Sequence, residues 1–316
     1  MRAAARGDVV VALDVDAAGL ANLASVVTSE APVAMIVAVC CDVSNATDVA
    51  RAVETVRTKL GGRTIDVVAN FAGLIRGGPL LELDDSELER VMAVNVLGTH
   101  RVTKAFIPLM HTEEPRDVES RIPSPKIIVV ASELSYANFS AGFSAPYSMS
   151  KFALEAYAFS AQNRYKTDAF IDDDHFYVDG YLHMCVVRSR YASSLRLELS
   201  LLRNPIDVVV LNPGAMSTPM LFSQMAGGSN AFFEQYAAQG SVYGPFLRRG
   251  GVIAQEYMSR NKRDPQTVAA VVEEIVHAHR PAPRYVIGAS FEMRYLIPYI
   301  PQCVLDAGTR MQLRRA

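Results

Sequence analysis

The sequence predicts an α/β chain: a Rossmann-type, doubly wound parallel sheet with helices on both faces. Three observations predict it. Apolar runs of strand length recur along the 316 residues. They are dense in Val and Ile, as parallel strands covered on both faces are. Stretches with helical spacing separate them, the pattern of strands joined by crossover helices. Half of the chain is hydrophobic, enough to bury a substantial core, and one domain over residues 1–316 is the expectation.

In chain order, the apolar runs place strands at residues 9–13, 34–40, 65–69, 126–131, 206–211 and 284–287. Helical spacing fills the intervals at 17–28, 46–59, 84–110, 148–161, 191–202 and 265–278. Residues 111–125 are polar and carry prolines, which reads as a surface loop extension. Residues 159–190 hold Asp172, Asp173 and Asp174 in a row, three tyrosines and no sustained helical period. The words on either side, Glu155-Ala156-Tyr157-Ala158 and Tyr191-Ala192-Ser193-Ser194-Leu195, join into one amphipathic helix when that stretch is removed, so it reads as an insertion.

Charge and composition narrow the ligand. With 31 basic and 33 acidic residues the net charge is −2, which offers no field for nucleic acid or an acidic membrane and favours a small-molecule ligand. Cys40, Cys41, Cys185 and Cys303 have neither metal-ligand spacing nor the density of a disulfide scaffold, so they read as reduced thiols in a cytoplasmic protein. His100, His111, His175, His183, His277 and His279 are scattered, and no metal site is expected. No apolar run has the length of a membrane span, and the first residues do not form a signal peptide.

Chemistry gathers around Tyr147-Ser148-Met149-Ser150-Lys151. Phenol and ammonium sit one helical turn apart, so the cation can favour the ionised form of a group that otherwise titrates near about 10. A tyrosine of this kind can exchange a proton with a carbon-borne oxygen while a cofactor carries the hydride. The spacing alone is equally that of an ordinary amphipathic helix start, and its meaning comes from the company it keeps.

That company is ordered. Asn70-Phe71-Ala72-Gly73, Asn95-Val96-Leu97-Gly98, Val129-Val130-Ala131-Ser132, Tyr147-x-x-x-Lys151 and Asn212-Pro213-Gly214-Ala215-Met216-Ser217-Thr218 follow one another. Together they resemble the short-chain dehydrogenase/reductase family over about residues 3–220, the insertion excepted. The resemblance implies an oxidoreductase with Tyr147 as general acid or base. Lys151 would lower its pKa and bond the nicotinamide ribose, Ser132 would hold the substrate oxygen, and Asn95 would help hold a proton-relay water. Ser135, in the same loop, is the rival to Ser132, which is preferred because it directly follows the strand. The loop word Ser-Glu-Leu-Ser-Tyr resembles the retinol and steroid dehydrogenase branch and implies a small hydrophobic alcohol, ketone or aldehyde as substrate. In the family the helix bearing Lys151 also packs across a subunit interface, so a homodimer is the implied assembly.

The cofactor positions follow. Asp14 closes the apolar run Val9-Val10-Val11-Ala12-Leu13, where a dinucleotide fold places an acid for the adenosine ribose hydroxyls. With Asp16 nearby and no arginine following, a 2′-phosphate would meet like charge, which favours NAD over NADP. By resemblance, Asp42 and Val43 would border the adenine. Asn70, Ala72, Gly73, Pro213 and Gly214 would line the dinucleotide, and Thr218 would meet the carboxamide.

Two departures stand against the pattern. A dinucleotide fold opens with a strand and a glycine-rich turn that binds the pyrophosphate. Here Ala3-Ala4-Ala5-Arg6-Gly7-Asp8 reads as the last turn of the helix after that loop, so the expected sheet lacks its central strand and exposes the neighbouring edges. Phe71 stands where the family pattern has a second asparagine. On the substrate side, residues 221–260, with Phe232, Phe233, Tyr236 and Tyr243, suit a lid over a hydrophobic substrate. Residues 291–313 suit a surface helix pair or a membrane-facing patch. Two functional readings therefore stand: an NAD-dependent oxidoreductase, and a catalytically silent relative serving as a binding module.

Overall fold

The computed structural model describes residues 8–31, 35–110, 124–136, 143–158, 195, 199, 205–218, 236, 240–261, 263–288, 297, 300 and 302–314. Its strands are β1 (Val9–Asp14), β2 (Met35–Cys40), β3 (Val67–Asn70), β4 (Lys126–Val130), β5 (Asp207–Pro213) and β6 (Arg284–Ile287). All pair in parallel, in a two-stranded sheet β1-β2 and a four-stranded sheet β3-β4-β5-β6. The six strands fall where the apolar runs predict them, and the α/β Rossmann-type architecture holds.

The period of two along a strand explains the two cores. On β4 and β5, Ile127, Val129, Val208 and Val210 face one side, while Ile128, Val209 and Leu211 face the other. The first side is covered by α2 (Ala46–Leu60), α4 (Thr99–Met110) and α6 (Ala145–Ala158), which contribute Val49, Val53, Val56, Phe106, Met110 and Leu154. The second is covered by α8 (Gln266–His277) through Ile275. Helix α1 (Ala17–Glu30) links β1 to β2, the short α5 (Glu133–Tyr136) follows β4, and α7 (Gly244–Asn261) and α9 (Gln302–Arg314) follow β5 and β6 respectively.

Local chemistry fixes the helix ends. Asn45 caps α2 by accepting from the amides of Thr47 and Asp48, and the helix closes on Gly61 in the left-handed region at φ 58°. Val49, Ala52, Val53, Val56 and Leu60 are its buried residues, an i, i+3, i+4, i+7, i+11 stripe.

Two features bear on the expectations. The sheet parts between β1 and β3, where the sequence expects a central strand; no ladder joins the two sheets among the described residues. They are held by a shared core that includes Val37 and Val39 of β2 together with Val68 of β3. The single helix expected over 84–110 is instead α3 (Asp85–Met92), a π-helical segment (Ala93–Gly98) and α4. Wide turns of this kind re-aim side chains and recur at functional sites.

Residues 111–123 of the expected loop extension, the insertion at 159–190, and most of 221–239 lie outside the described residues, as do Ala3 to Gly7. Of the helix expected at 191–202, Leu195 and Leu199 are described, both helical and both packed in the first core. Among the described residues no helix is long and apolar enough to cross a membrane, and no group of three or more His, Cys, Asp or Glu is placed to hold a metal ion.

Gly98 ends the π segment because a side chain would not fit. A β-carbon there would lie 2.7 Å from Val43 Cγ2. Gly98→Ala is expected to destabilise the fold by about 1–3 kcal/mol through overpacking, read as a lower urea midpoint with an unchanged m-value.

Candidate active site

The site forms where parallel strands end, the place where an open α/β sheet leaves a crevice. Strand β4 leads through Ala131, whose amide donates to Leu211 O at 2.8 Å, into Ser132. Helix α6 crosses these strand ends and carries Tyr147 and Lys151 one turn apart. Lys151 is 6 % exposed, donates to Val130 O at 2.8 Å and sits 5.6 Å from the centre of the Tyr147 ring. The Ser132 side chain is near enough to the Tyr147 phenol to favour its ionised form. The structure thus brings Ser132, Tyr147 and Lys151 together. Ser135 Oγ is spent on the Ser132 main chain, donating to its carbonyl at 2.7 Å and accepting from its amide at 3.2 Å.

Electrostatics at the site are ruled by burial. Desolvation holds the Tyr147 phenol above its ordinary range; the Ser132 side chain pulls it down and the Glu133 charge pushes it up. Desolvation alone lowers Lys151 to about 8. The spacing lets the lysine's charge favour the ionised phenol. In the structure the loss of water around the phenol is the largest influence on it.

Asn95 lies in the π segment, fully buried. Its Nδ2 donates to Leu74 O and to Ser150 Oγ, both at 2.9 Å, and its Oδ1 accepts from Leu74 N at 2.8 Å. The side chain therefore ties the loop after β3 to α6. It also borders the catalytic group: a β-carbon on Gly73 would lie 3.4 Å from Asn95 Oδ1 and 3.8 Å from Lys151 Nζ.

The other expected positions spread along the strand ends. Asp14 ends β1 exposed, with one carboxylate oxygen accepting from Asp16 N at 3.0 Å. Asp42 follows β2 and accepts from both the amide and the hydroxyl of Ser44. Val43 packs beneath Gly98. Asn70 turns inward, donating to Thr103 Oγ1 at 3.2 Å, while Phe71 and Ala72 are exposed and Gly73 half-buried. Pro213, Gly214 and Thr218 are half-buried at the end of β5 and beyond; a β-carbon on Gly214 would lie 2.8 Å from Gly288 O and 2.9 Å from Glu133 Oε2.

Several participants were not singled out from sequence. Glu133, next to Ser132, is 5 % exposed; Tyr257 of α7 donates to its Oε1 at 3.1 Å, and its Oε2 is buried with no hydrogen-bond partner among the described residues. Burial pushes its carboxyl from 4.5 up to about 7. On the substrate side, Gly78 N donates to Phe143 O at 2.7 Å. The Phe143 ring meets Tyr243 at 6.2 Å, and a β-carbon on Gly78 would lie 2.9 Å from Tyr236 Oη. Of the expected lid aromatics, Tyr243 packs on the loop between Ser132 and Tyr147, and Tyr236 lies against Gly78 in the stretch after β3.

The parallel strands and the helices that cover them define an α/β fold of the Rossmann type. The sequence model of the short chain dehydrogenase family matches residues 1–171, more than half of the chain, and the protein belongs to that family. A 70-residue stretch is 41% identical to retinol dehydrogenase 10-B of Danio rerio, covering 22% of this chain and 20% of that protein. The match thus spans about a fifth of the relative's length. Among solved structures, a short-chain dehydrogenase from Streptomyces avermitilis superposes with a TM-score of 0.58 at 19% identity, covering 99% of this chain and 89% of that one. The 3-ketoacyl-(acyl-carrier-protein) reductase from Brucella melitensis, complexed with NADH, gives 0.52 at 20% identity, covering 88% and 84%.

The raised Glu133 carboxyl has a pH signature. Between 4.5 and about 7 the folded chain keeps a proton that the unfolded chain releases, so this group's contribution to stability falls as pH rises through that window. Glu133→Gln carries no such proton. Its melting temperature is expected to gain on the wild type as pH goes from about 4 to about 8, and a constant difference would refute the burial argument.

Proposed function

We propose that this chain transfers a hydride between NAD(H) and a hydrophobic alcohol, ketone or aldehyde of retinoid-like or steroid-like shape. One observation carries the reading: buried Lys151 lies 5.6 Å from the Tyr147 ring, beside buried Ser132, at the strand ends of a chain of the short chain dehydrogenase family.

The residues present fit a nicotinamide dinucleotide. Gly73 leaves contact-distance space beside Asn95 and Lys151, and Asp14 offers an exposed carboxylate at the end of β1. When bound, the cofactor supplies or takes up the hydride. Asp14 would accept the ribose hydroxyls, Asp42 and Val43 would border the adenine, and Asn70, Ala72, Gly73, Pro213 and Gly214 would line the dinucleotide, with Thr218 at the carboxamide. Ser132 would donate to the substrate oxygen, and Tyr147 would deliver or remove the proton there. Lys151 would favour the ionised phenol and hold the ribose, and Asn95 would keep the loop and helix in register for the relay. Asp14 and Asp16 disfavour a 2′-phosphate, which supports NAD over NADP. The Danio rerio relative supports a retinoid-like substrate, and the aromatic group Phe143, Tyr236 and Tyr243 supports a hydrophobic one. A second reading is a catalytically silent relative that serves as a binding module without turnover.

Titration with NADH, followed by energy transfer from protein to nicotinamide, separates the two. NADH is expected to bind more tightly than NADPH, and Asp14→Ala to narrow that gap. Tyr147→Phe is expected to slow all-trans-retinal reduction by roughly 10²–10⁴-fold with NADH affinity kept. Absence of binding at millimolar NADH would sink the oxidoreductase reading.

A further inference from the structure

Helix α6 carries a third polar group in register with its catalytic pair. Tyr147, Lys151 and Glu155 follow at intervals of four residues on one face. Lys151 reaches β4 through Val130 O. Glu155 reaches the next two strands: its Oε1 accepts from Asn212 Nδ2 on β5, and its Oε2 pairs with Arg284 on β6. The ion pair is enclosed, its side chains 12% and 11% exposed.

Asn212 passes this contact on. It is fully buried, and its second Nδ2 hydrogen goes to Ser132 O at 2.8 Å. The same carbonyl accepts from Ser135 Oγ, which also lies 3.4 Å from Glu155 Oε1. The Ser132 main chain is thereby held directly by Asn212 and Ser135, and through them by Glu155. Asn212 Oδ1 is buried and has no hydrogen-bond partner among the described residues. An unmet acceptor of this kind costs stability, and the fold tolerates it while both hydrogens of the same amide are used.

We propose that Glu155, acting through Asn212 and Ser135, is a positioning residue for Ser132: it locks the serine's main chain to the helix that carries Tyr147 and Lys151. The inference rests on the catalytic reading given above. The carboxylate uses both of its oxygens, and the one that accepts from Asn212 is the one whose contact leads on to Ser132. One oxygen accepts from a neutral amide while the other meets a guanidinium, and a buried carboxylate is sustained only when so paired.

The test compares Glu155→Ala, Glu155→Gln, Ser132→Ala and the Ser132→Ala/Glu155→Ala double variant in the full chain. Three readouts are taken: NADH affinity, all-trans-retinal turnover, and hydrogen exchange of the 131–136 peptide. Glu155→Ala is expected to lower kcat at least tenfold with NADH affinity within twofold, Glu155→Gln to recover most of that loss, and the double variant to be no slower than Ser132→Ala. Exchange of the 131–136 peptide is expected to quicken in Glu155→Ala while β1 and β2 stay unchanged. Additive losses in the double variant, or unchanged exchange at 131–136, overturn the proposal. A wild type that binds no NADH overturns the oxidoreductase reading instead, and the exchange measurement then decides the positioning role by itself. If Glu155→Ala does not fold, Glu155→Gln and Asn212→Ala carry the same exchange comparison.

Discussion

Laying a helix face that bears a phenol, an ammonium and a carboxylate across the ends of three parallel strands obliges every polar atom on it to find a partner, because an unpaired buried polar group is costly. Val130 O takes the lysine, and Asn212 with Arg284 takes the glutamate. Those obligations set the depth and rotation of α6, and with them the place of Tyr147 and Lys151. A helix packed by apolar contacts alone would slide by fractions of a turn at little cost. This one is indexed to β4, β5 and β6 by directional bonds.

The π segment performs a comparable service on the other side. By widening a turn it buries Asn95 against Leu74 and Ser150, so the loop after β3 and helix α6 share one amide. The glycine that follows lets the same stretch close on Val43. One irregularity in a single helix thus sets the spacing between the strand ends proposed for the adenine and those proposed for the nicotinamide.

Strands were legible because runs such as Lys126-Ile-Ile-Val-Val and Asp207-Val-Val-Val-Leu are apolar on both faces, which leaves little alternative to a covered parallel strand. The cluster of Ser132, Tyr147 and Lys151 was legible for a different reason: the groups lie on adjacent elements at short, regular offsets. Other features escape a one-dimensional reading. The break of residues 84–110 into three pieces depends on hydrogen bonds that no periodicity encodes. Glu133 and Glu155 look like solvent-facing charges of a helix, and their burial comes from Tyr257, Asn212 and Arg284, which lie from 57 to 129 residues away in the chain. The direction of the Tyr147 shift also escapes, because spacing reports the neighbouring charge and is blind to the water that folding removes.

The parting of the sheet has a consequence for cooperativity. β1, α1 and β2 form a unit closed by local ladder bonds and joined to the remainder through side chains around Val37, Val39 and Val68, with no backbone ladder between the two sheets among the described residues. Opening such a unit breaks none of the β3-to-β6 hydrogen bonds, so it can separate as a subglobal foldon at less than the full free energy of unfolding. Asp14 and Asp42 travel with that unit, while Ser132, Tyr147 and Lys151 stay behind. A ligand spanning both halves would act as a tie between two foldons, and its binding energy would appear as suppressed opening of the smaller one.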